Sequence, residues 1–407
     1  MLFKLAWRNI WRNKRRTFIT AASVLFAVFL SIFMQSIQRG AWDNMLNNIV
    51  NFYFGYAQVH TKGFNEEQSI NKAFAQDDAI HKLEGIPAVK GIVPRLESFA
   101  LAAKEDATRG VLAIGIDPER ENAMTRLSGR LTEGKYLNAS DKAVLVSTGV
   151  ARYLNLAIGD SIILISQGYH GVNAAGKYPV KGLVKFASPD LNKRMVYLPM
   201  KEAQWFYGAE NLVTSLVLDI KGKEHIPAIM EKANARLDTS QYEILTWEQM
   251  LPEIVGAKNL DTAGSLMVLL LLYLIVGFGI FGTILMMTQE RLYEFGILMS
   301  IGMKRIHLAI VVWLEILFVG LIGAIAGMLL AFPFVLHFVN NPIDMSSMGE
   351  GATETYEKFG MEPVIPAIME PSIFFEQAVV IFLITVVVGL YPLLKITRLK
   401  PIEAMKQ

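Results

Sequence analysis

LMVLLLLYLIVGFGIFGTILMM, residues 266–287, runs without one charged side chain, and the uncharged window around it reaches from Thr262 to Gln289. About 20 apolar residues at a rise of 1.5 Å each cross a hydrocarbon core of roughly 30 Å, so a helix here can span a bilayer. Working outward, residues 17–37 form a second uncharged window, and residues 308–337 a third in which Glu315 is the only acidic side chain. Residues 378–394 form a fourth uncharged window, with Phe374 and Phe375 at one end and Tyr391 near the other as interfacial anchors. No small-x-small cleavage site separates the first window from Gln38 and Arg39, so it reads as an uncleaved signal anchor. Charges are plentiful between the windows, the layout of a membrane protein that carries a soluble domain.

Lysine and arginine in the short flanks set the orientation. Lys4, Arg8, Arg12, Lys14, Arg15 and Arg16 precede the first span, Arg291, Lys304 and Arg305 stand between the second and third, and Lys395, Arg398, Lys400 and Lys406 follow the fourth. The segment between the third and fourth spans holds Lys358 alone against Asp344, Glu350, Glu354, Glu357, Glu362 and Glu370. Both termini are therefore expected in the cytoplasm and residues 38–261 outside. The expected order is an amphipathic helix at 1–16, spans at 17–37, 262–288, 308–337 and 373–395, a cytoplasmic loop at 289–307, an outer loop at 338–372 and a tail at 396–407.

The outer segment mixes strand-like runs (GYAQVH, VKGIVPRLESFALAA, GVLAIGI, KAVLVS, DSIILIS, YPVKGLVKF, RMVYLP, SLVLDI) with short helical ones (DDAIHKLEG, TGVARYLNL, KEAQWFYG, HIPAIMEKANARL). The fold class is thus four transmembrane helices with a large extracytoplasmic α+β domain, of one or two lobes, inserted between the first and second. QRGAWDNMLNNIVNFYFG reads as a helical stalk leaving the first span, and TWEQMLPEIVGAKNL, with Thr246 as N-cap, as a matching stalk entering the second.

The chain has no cysteine, which excludes disulfides and thiolate metal sites, and its six histidines show no ligand spacing. Each histidine reads as an ordinary surface or interfacial residue, and no metal site is expected. A net charge of +2 gives no argument for nucleic acid. GVNAAGKY, residues 171–178, approaches a phosphate loop, but Tyr178 holds the hydroxyl position and a strand follows where a helix N-terminus is required, so a hairpin tip is the better reading. No catalytic residue and no bound cofactor are expected.

Glu315 is the intramembrane candidate, because an acid inside a span costs about 2.5–3.5 kcal/mol on insertion scales. Its plainer reading is a pair with Arg305 or an N-terminal arginine near the membrane face. Gly320, Gly323 and Gly327 give the third span a small-residue face, suited to packing within the chain or to a dimer, and Gly277, Gly279 and Gly282 do likewise in the second. QERLYEFGILMSIGMKRIHL, residues 289–308, is amphipathic, with Leu292, Phe295, Leu298 and Met299 on one side, Glu290, Arg291 and Glu294 on another, and Gly302 able to close the helix. It reads as a docking helix for a cytoplasmic subunit. MLFKLAWRNIWRNKRR reads as a basic amphipathic helix at the inner face.

The order of these parts resembles the FtsX/MacB-type permeases of ATP-binding-cassette (ABC) systems over essentially the whole chain. That family's loop pattern is matched by Glu290, Arg291, Glu294, Phe295, Gly296, Leu298, Ser300, Ile301, Gly302 and Met303. Its opening pattern is matched by Trp7, Arg8, Asn9, Arg12, Arg15 and Arg16, and its closing one by Arg398, Pro401, Glu403 and Ala404. The resemblance implies a non-enzymatic permease of the bacterial inner membrane. Its partners would be a cytoplasmic ABC ATPase dimer that binds the ATP and magnesium, a second permease identical or homologous, membrane lipids and a periplasmic carrier or adaptor. Length looks most like the lipoprotein-releasing LolC/LolE branch, whose carrier-binding hook corresponds to residues 166–179 here, making Tyr169, His170, Tyr178 and Pro179 candidate contacts. The alternatives are an efflux permease working with an adaptor and an FtsX-like regulator of cell-wall hydrolases.

Overall fold

The computed structural model describes residues 2–12, 14–186, 188–349, 351 and 363–399. Two compact units result: Met1–Trp42, Lys258–Ile343 and Val364–Gln407 form one, and Asp43–Ala257 with Asp344–Pro363 the other. Glu350, Glu354, Glu357, Lys358, Glu362, Lys400, Pro401, Glu403, Ala404 and Lys406, which the sequence singled out, lie outside the described residues.

Among the described residues four helices are long and apolar enough to cross a membrane: Lys14–Ile49, Pro252–Glu290, Arg305–Asn340 and Pro371–Thr397. The first continues as a wider π-turn, Val50–Phe54, and stops at Gly55 with φ 66°. A Cβ there would also stand 2.5 Å from Val217 Cγ1, so the site needs glycine on both counts. Ahead of the second helix the sequence expects one stalk, but the structure shows two pieces. Trp247–Met250 is a separate turn, and Leu251 leaves the helical region at φ −124° and ψ 56° because Pro252 follows it. The Thr246 N–H donates to Gln249 Oε1 at 2.9 Å, and Pro252 opens the long helix where its missing N–H costs nothing.

The third helix is central to the helical unit: 61% of its apolar window is buried, against 17% for the second. Its glycines are what let neighbours come close. A Cβ on Gly323 would meet Val24 Cβ at 2.6 Å, one on Gly327 the Leu25 carbonyl oxygen at 2.7 Å, and one on Gly320 Thr385 Cγ2 at 2.6 Å. This face therefore packs within the chain, on the first and fourth helices, rather than offering itself to a second copy. Gly279 and Gly282 meet nothing within 4 Å.

In the inserted unit the strands are β1 Ala57–Thr61, β2 Phe74–Ala75, β3 Val89–Lys104, β4 Ala107–Ile116, β5 Leu131–Gly134, β6 Val144–Ser147, β7 Ser161–Gln167, β8 Asn173–Val184, β9 Met195–Pro199, β10 Leu212–Val213, β11 Ser215–Ile220 and β12 Tyr242–Thr246. One sheet of order β12-β1-β11-β3-β4-β9-β6-β8-β5 runs through the unit, with β7 bridging β3 and β8. The 16-residue β3 joins the parts of the domain, pairing β11 along its first half and β7 near its end. β4–β9 and β6–β8 are parallel and the remaining pairs antiparallel, a mixed sheet. Asp117-Pro118 reads as a turn in sequence but starts the helix Pro118–Thr125. The Asp117 carboxylate accepts the N–H groups of Glu119 at 3.1 Å and Arg120 at 3.2 Å, and proline suits the first turn.

Candidate functional site

In the helical unit three segments far apart in sequence converge on Glu315. The first is the helix Leu2–Arg12, whose Ala6 packs on Val311 and Leu314 of the third spanning helix. Trp7 meets the Phe318 ring edge-on at 5.7 Å, which fixes the helix along that surface.

The second is the helix Leu292–Ser300, which follows the second spanning helix after a kink at Arg291. Gly302, at φ 107°, ends it: its N–H donates to the Met299 carbonyl at 3.1 Å while the Met303 N–H reaches Leu298 at 3.1 Å, the paired bonds of a left-handed glycine cap. Leu292, Phe295 and Gly296 are buried. Tyr293, Ile297, Leu298 and Ile301 are exposed, Ile301 at 79%. The sequence reading places Leu298 with Leu292 and Phe295. At about 100° per residue positions 292, 295, 296 and 299 share one face and 298 falls outside it, so Leu298 turns outward.

The third is Glu315 itself, 4% exposed on the third helix. Asn9 donates from Nδ2 to Oε1 at 2.5 Å, and Arg291 from Nη1 to Oε2 at 2.5 Å. Arg291 also lies with Nε 3.5 Å from Glu294, which Arg12 pairs from the N-terminal helix. The partner is thus Arg291 and not Arg305, which is exposed. Burial decides the matter: a carboxylate enclosed by apolar side chains must find a charge and a donor within reach, and the kink at Arg291 turns that side chain inward. A cavity of about 220 Å³, lined by Asn9, Arg12, Glu290, Arg291, Glu294 and Glu315 among others, adjoins the cluster. The opening W-R-N-x-x-R and the E-R-x-x-E-F-G stretches are therefore halves of one interlock closed by Glu315. The sequence shows both motifs but not that they share a carboxylate.

Of the hairpin candidates, Tyr169 and His170 sit in the turn Tyr169–Gly171, with rings 4.0 Å apart. The His170 N–H donates to Asn71 Oδ1 at 2.7 Å, and Pro179 is exposed. Tyr178 is corrected: it is 3% exposed, because the alternation of β8 turns it inward with Ala174 and Val180 toward Phe206. It cannot contact a partner from there. Residues 171–178 are turn and strand of the β7–β8 hairpin.

His60 is also corrected. It is 2% exposed rather than superficial, and Nδ1 bonds the Thr214 carbonyl at 3.1 Å. Burial lowers its pKa to about 4. Close by in the sheet, Arg95 is fully buried and donates from Nε and Nη2 to Glu121 at 2.9 and 2.8 Å. Desolvation works against the guanidinium, but the Glu121 charge outweighs it and holds the Arg95 pKa above its ordinary value. No sequence signal marks His60 and Arg95, because they lie in strands whose apolar neighbours dominate the pattern.

Four apolar helices, an α+β domain between the first and second, and a helix held at the end of the second make this a multi-pass membrane protein with one large inserted domain. The chain belongs to the MacB-like, FtsX-like permease family: residues 17–236, over half of it, match the MacB-like periplasmic core domain, and residues 266–401 the FtsX-like permease C-terminal. It is similar to the macrolide export ATP-binding/permease protein MacB of Vibrio parahaemolyticus, at 21% identity over 81% of this chain and 51% of that one. The pyoverdine export ATP-binding/permease protein PvdT of Pseudomonas savastanoi is 22% identical over 98% of this chain and 58% of its own. The chain thus spans about half to three-fifths of those two relatives. An uncharacterized ABC transporter permease, YknZ of Bacillus subtilis, is 22% identical over 99% of this chain and 98% of its own length. Among solved structures the periplasmic region of MacB from Actinobacillus actinomycetemcomitans covers 52% of this chain and 97% of its own, at 13% identity and a TM-score of 0.37. The family assignment rests on the sequence matches and not on that likeness. These relatives are exporters and permeases, and none carries the expected LolC/LolE assignment.

Proposed function

We propose that this chain is the permease of an export system of the MacB type in a bacterial inner membrane, with both termini cytoplasmic and the inserted domain outside. An ABC ATPase on a partner subunit would dock on the exposed side of the helix Leu292–Ser300, where Tyr293, Ile297, Leu298 and Ile301 leave an apolar surface beside Glu294. The observation that carries this reading is the Glu315 interlock. A push on the docking helix reaches Arg291, and through Glu315 it reaches the third helix and the N-terminal helix together. The helices that leave the membrane unit at either end of the inserted domain, Lys14–Ile49 and Pro252–Glu290, would carry the stroke outward.

For the cargo, the relatives, exporters of a macrolide and of pyoverdine by name, favour export of a small molecule over lipoprotein release. A periplasmic adaptor and a second permease copy complete this reading. The test is affinity purification in mild detergent followed by mass spectrometry, for the wild type and for Leu298→Glu with Ile301→Glu. An ABC ATPase should accompany the wild type and be lost from the variant. An ATPase retained equally by both would remove the docking surface from this helix. Acylated lipoproteins co-eluting with the wild type would return the cargo assignment to lipoprotein release.

A further inference from the structure

The inserted domain carries a half-open cavity of about 730 Å³ lined by residues that include His60 and Glu97, whose Nε2 and Oε1 atoms are buried and without hydrogen-bond partners among the described residues. Thr214 brings them together. Its carbonyl accepts from His60 Nδ1 at 3.1 Å, and its hydroxyl accepts the Glu97 main-chain N–H at 2.8 Å, so β1 and β3 bring both residues to the wall of one cavity on either side of Thr214. With Nδ1 donating, Nε2 offers only a lone pair. Glu97 is 8% exposed, and its Oε1 stands 3.6 Å from Arg95 Nη1, beyond a hydrogen bond. That guanidinium is already taken by both oxygens of Glu121 and by the Tyr53 carbonyl at 2.6 Å. One guanidinium thus faces two carboxyl groups, and besides it Glu97 bonds only the Tyr53 side chain among the described residues, leaving Oε1 without a donor.

A buried acceptor left unpaired costs about 1–3 kcal/mol, so two in one wall ask for a ligand with donors. Burial pushes the Glu97 carboxyl above its usual range, against the pull of Arg95 and of the Tyr53 hydrogen bond, and a cation beside it would favour the ionised form. The rim does not set the sign, since Asp190 and Glu253 offset Lys193 and Arg194. The remaining wall is apolar, including Phe54, Phe64, Met250 and Ile254. We propose that this cavity binds an amphipathic amine, its protonated nitrogen held by the Glu97 carboxylate and His60 Nε2 and its apolar body against Phe54, Phe64 and Ile254. The inference concerns the inserted domain alone and stands or falls independently of the export reading.

The test uses the full chain in lipid nanodiscs, with dansylcadaverine as the amine probe and its N-acetyl derivative as the uncharged match, read by dansyl fluorescence above empty nanodiscs. The wild type should bind the amine saturably and at least tenfold tighter than the acetylated probe, a difference of about 1.4 kcal/mol. Glu97→Gln should abolish the preference, and Ile254→Trp, at a partly exposed wall position, should fill the cavity and lose both probes. Equal binding of the two probes, or no saturable signal from the wild type, overturns the proposal. So does an unchanged preference in Glu97→Gln. If Glu97→Gln does not fold, wild-type binding by Ile254→Trp overturns it equally.

Discussion

Glu315→Gln keeps the shape of the interlock and removes its charge. Asn9 can still donate to the glutamine carbonyl, but Arg291, whose side chain is only 14% exposed, is left with Glu294 at 3.5 Å. Removing one partner of a buried pair costs about 3–5 kcal/mol, and the surviving Asn9 bond and Glu294 contact reduce that to roughly 2–3 kcal/mol. At about 2–4 °C per kcal/mol, the apparent melting temperature should fall by roughly 4–12 °C. Scanning fluorimetry in nanodiscs at one fixed scan rate is the assay, since membrane proteins of this kind unfold irreversibly. A second variant separates stability from signalling. Asn9→Leu, Arg291→Met and Glu315→Leu together replace the polar cluster with apolar side chains, which is often neutral or better for stability. That variant should melt near the wild type yet transmit ATPase-driven movement poorly, because nothing then fixes the N-terminal helix in register. A Glu315→Gln melting point within about 1 °C of the wild type would refute the reasoning: the pair would then be contributing no net stability.

Gly323→Ala should lose monodisperse protein in size-exclusion chromatography, since its Cβ would lie 2.6 Å from Val24 Cβ and overpacking costs about 1–3 kcal/mol. Gly279→Ala and Gly282→Ala, with nothing within 4 Å, should be neutral or gain up to about 1 kcal/mol of helix propensity. Asp117→Ala removes the cap of Pro118–Thr125 and should cost about 1 kcal/mol by thermal shift, with Asp117→Asn close to wild type. His60 has a folded pKa near 4, below the ordinary 6.5, so the unfolded chain binds more protons between those values. Its contribution is therefore full above about pH 6.5 and lost as the pH falls toward 4, on the order of 3 kcal/mol in all. Glu97, raised by burial, works in the opposite direction, so the readout is the wild-type stability curve minus that of His60→Phe. A difference curve that is flat from pH 4 to 6.5 would falsify the assignment of a neutral buried imidazole.

Much of the architecture was legible because it is written locally. A spanning helix needs only an unbroken apolar run, so each of the four windows announces itself without its neighbours. β1, β3, β4, β7 and β11 stand out by apolar runs and alternation in the same way. Failures came where a local sign was ambiguous. Asp117-Pro118 serves a turn or a helix start equally well, and the choice depends on whether the following N–H groups meet the carboxylate. The four-residue β5 is too short to show a period, and β12 merges in sequence with the stalk that follows it. Tyr178 was misjudged because a position near a hairpin tip suggests exposure, whereas the strand's alternation turns that ring inward.

By itself the sequence determined the four spans, the inserted α+β domain and the kinship with FtsX/MacB-type permeases, since hydropathy and motif order are properties of contiguous residues. Only the tertiary structure decided which groups share a charge. Asn9 reaches Glu315 across 306 positions, Arg12 reaches Glu294 across 282, and Arg95 finds Glu121 across 26. The same holds for Gly323 and Gly327, whose spacing tells of a close approach but not of the first helix that makes it. A side chain's need for a partner follows from its chemistry and burial, but which partner answers depends on backbone paths that no local pattern encodes.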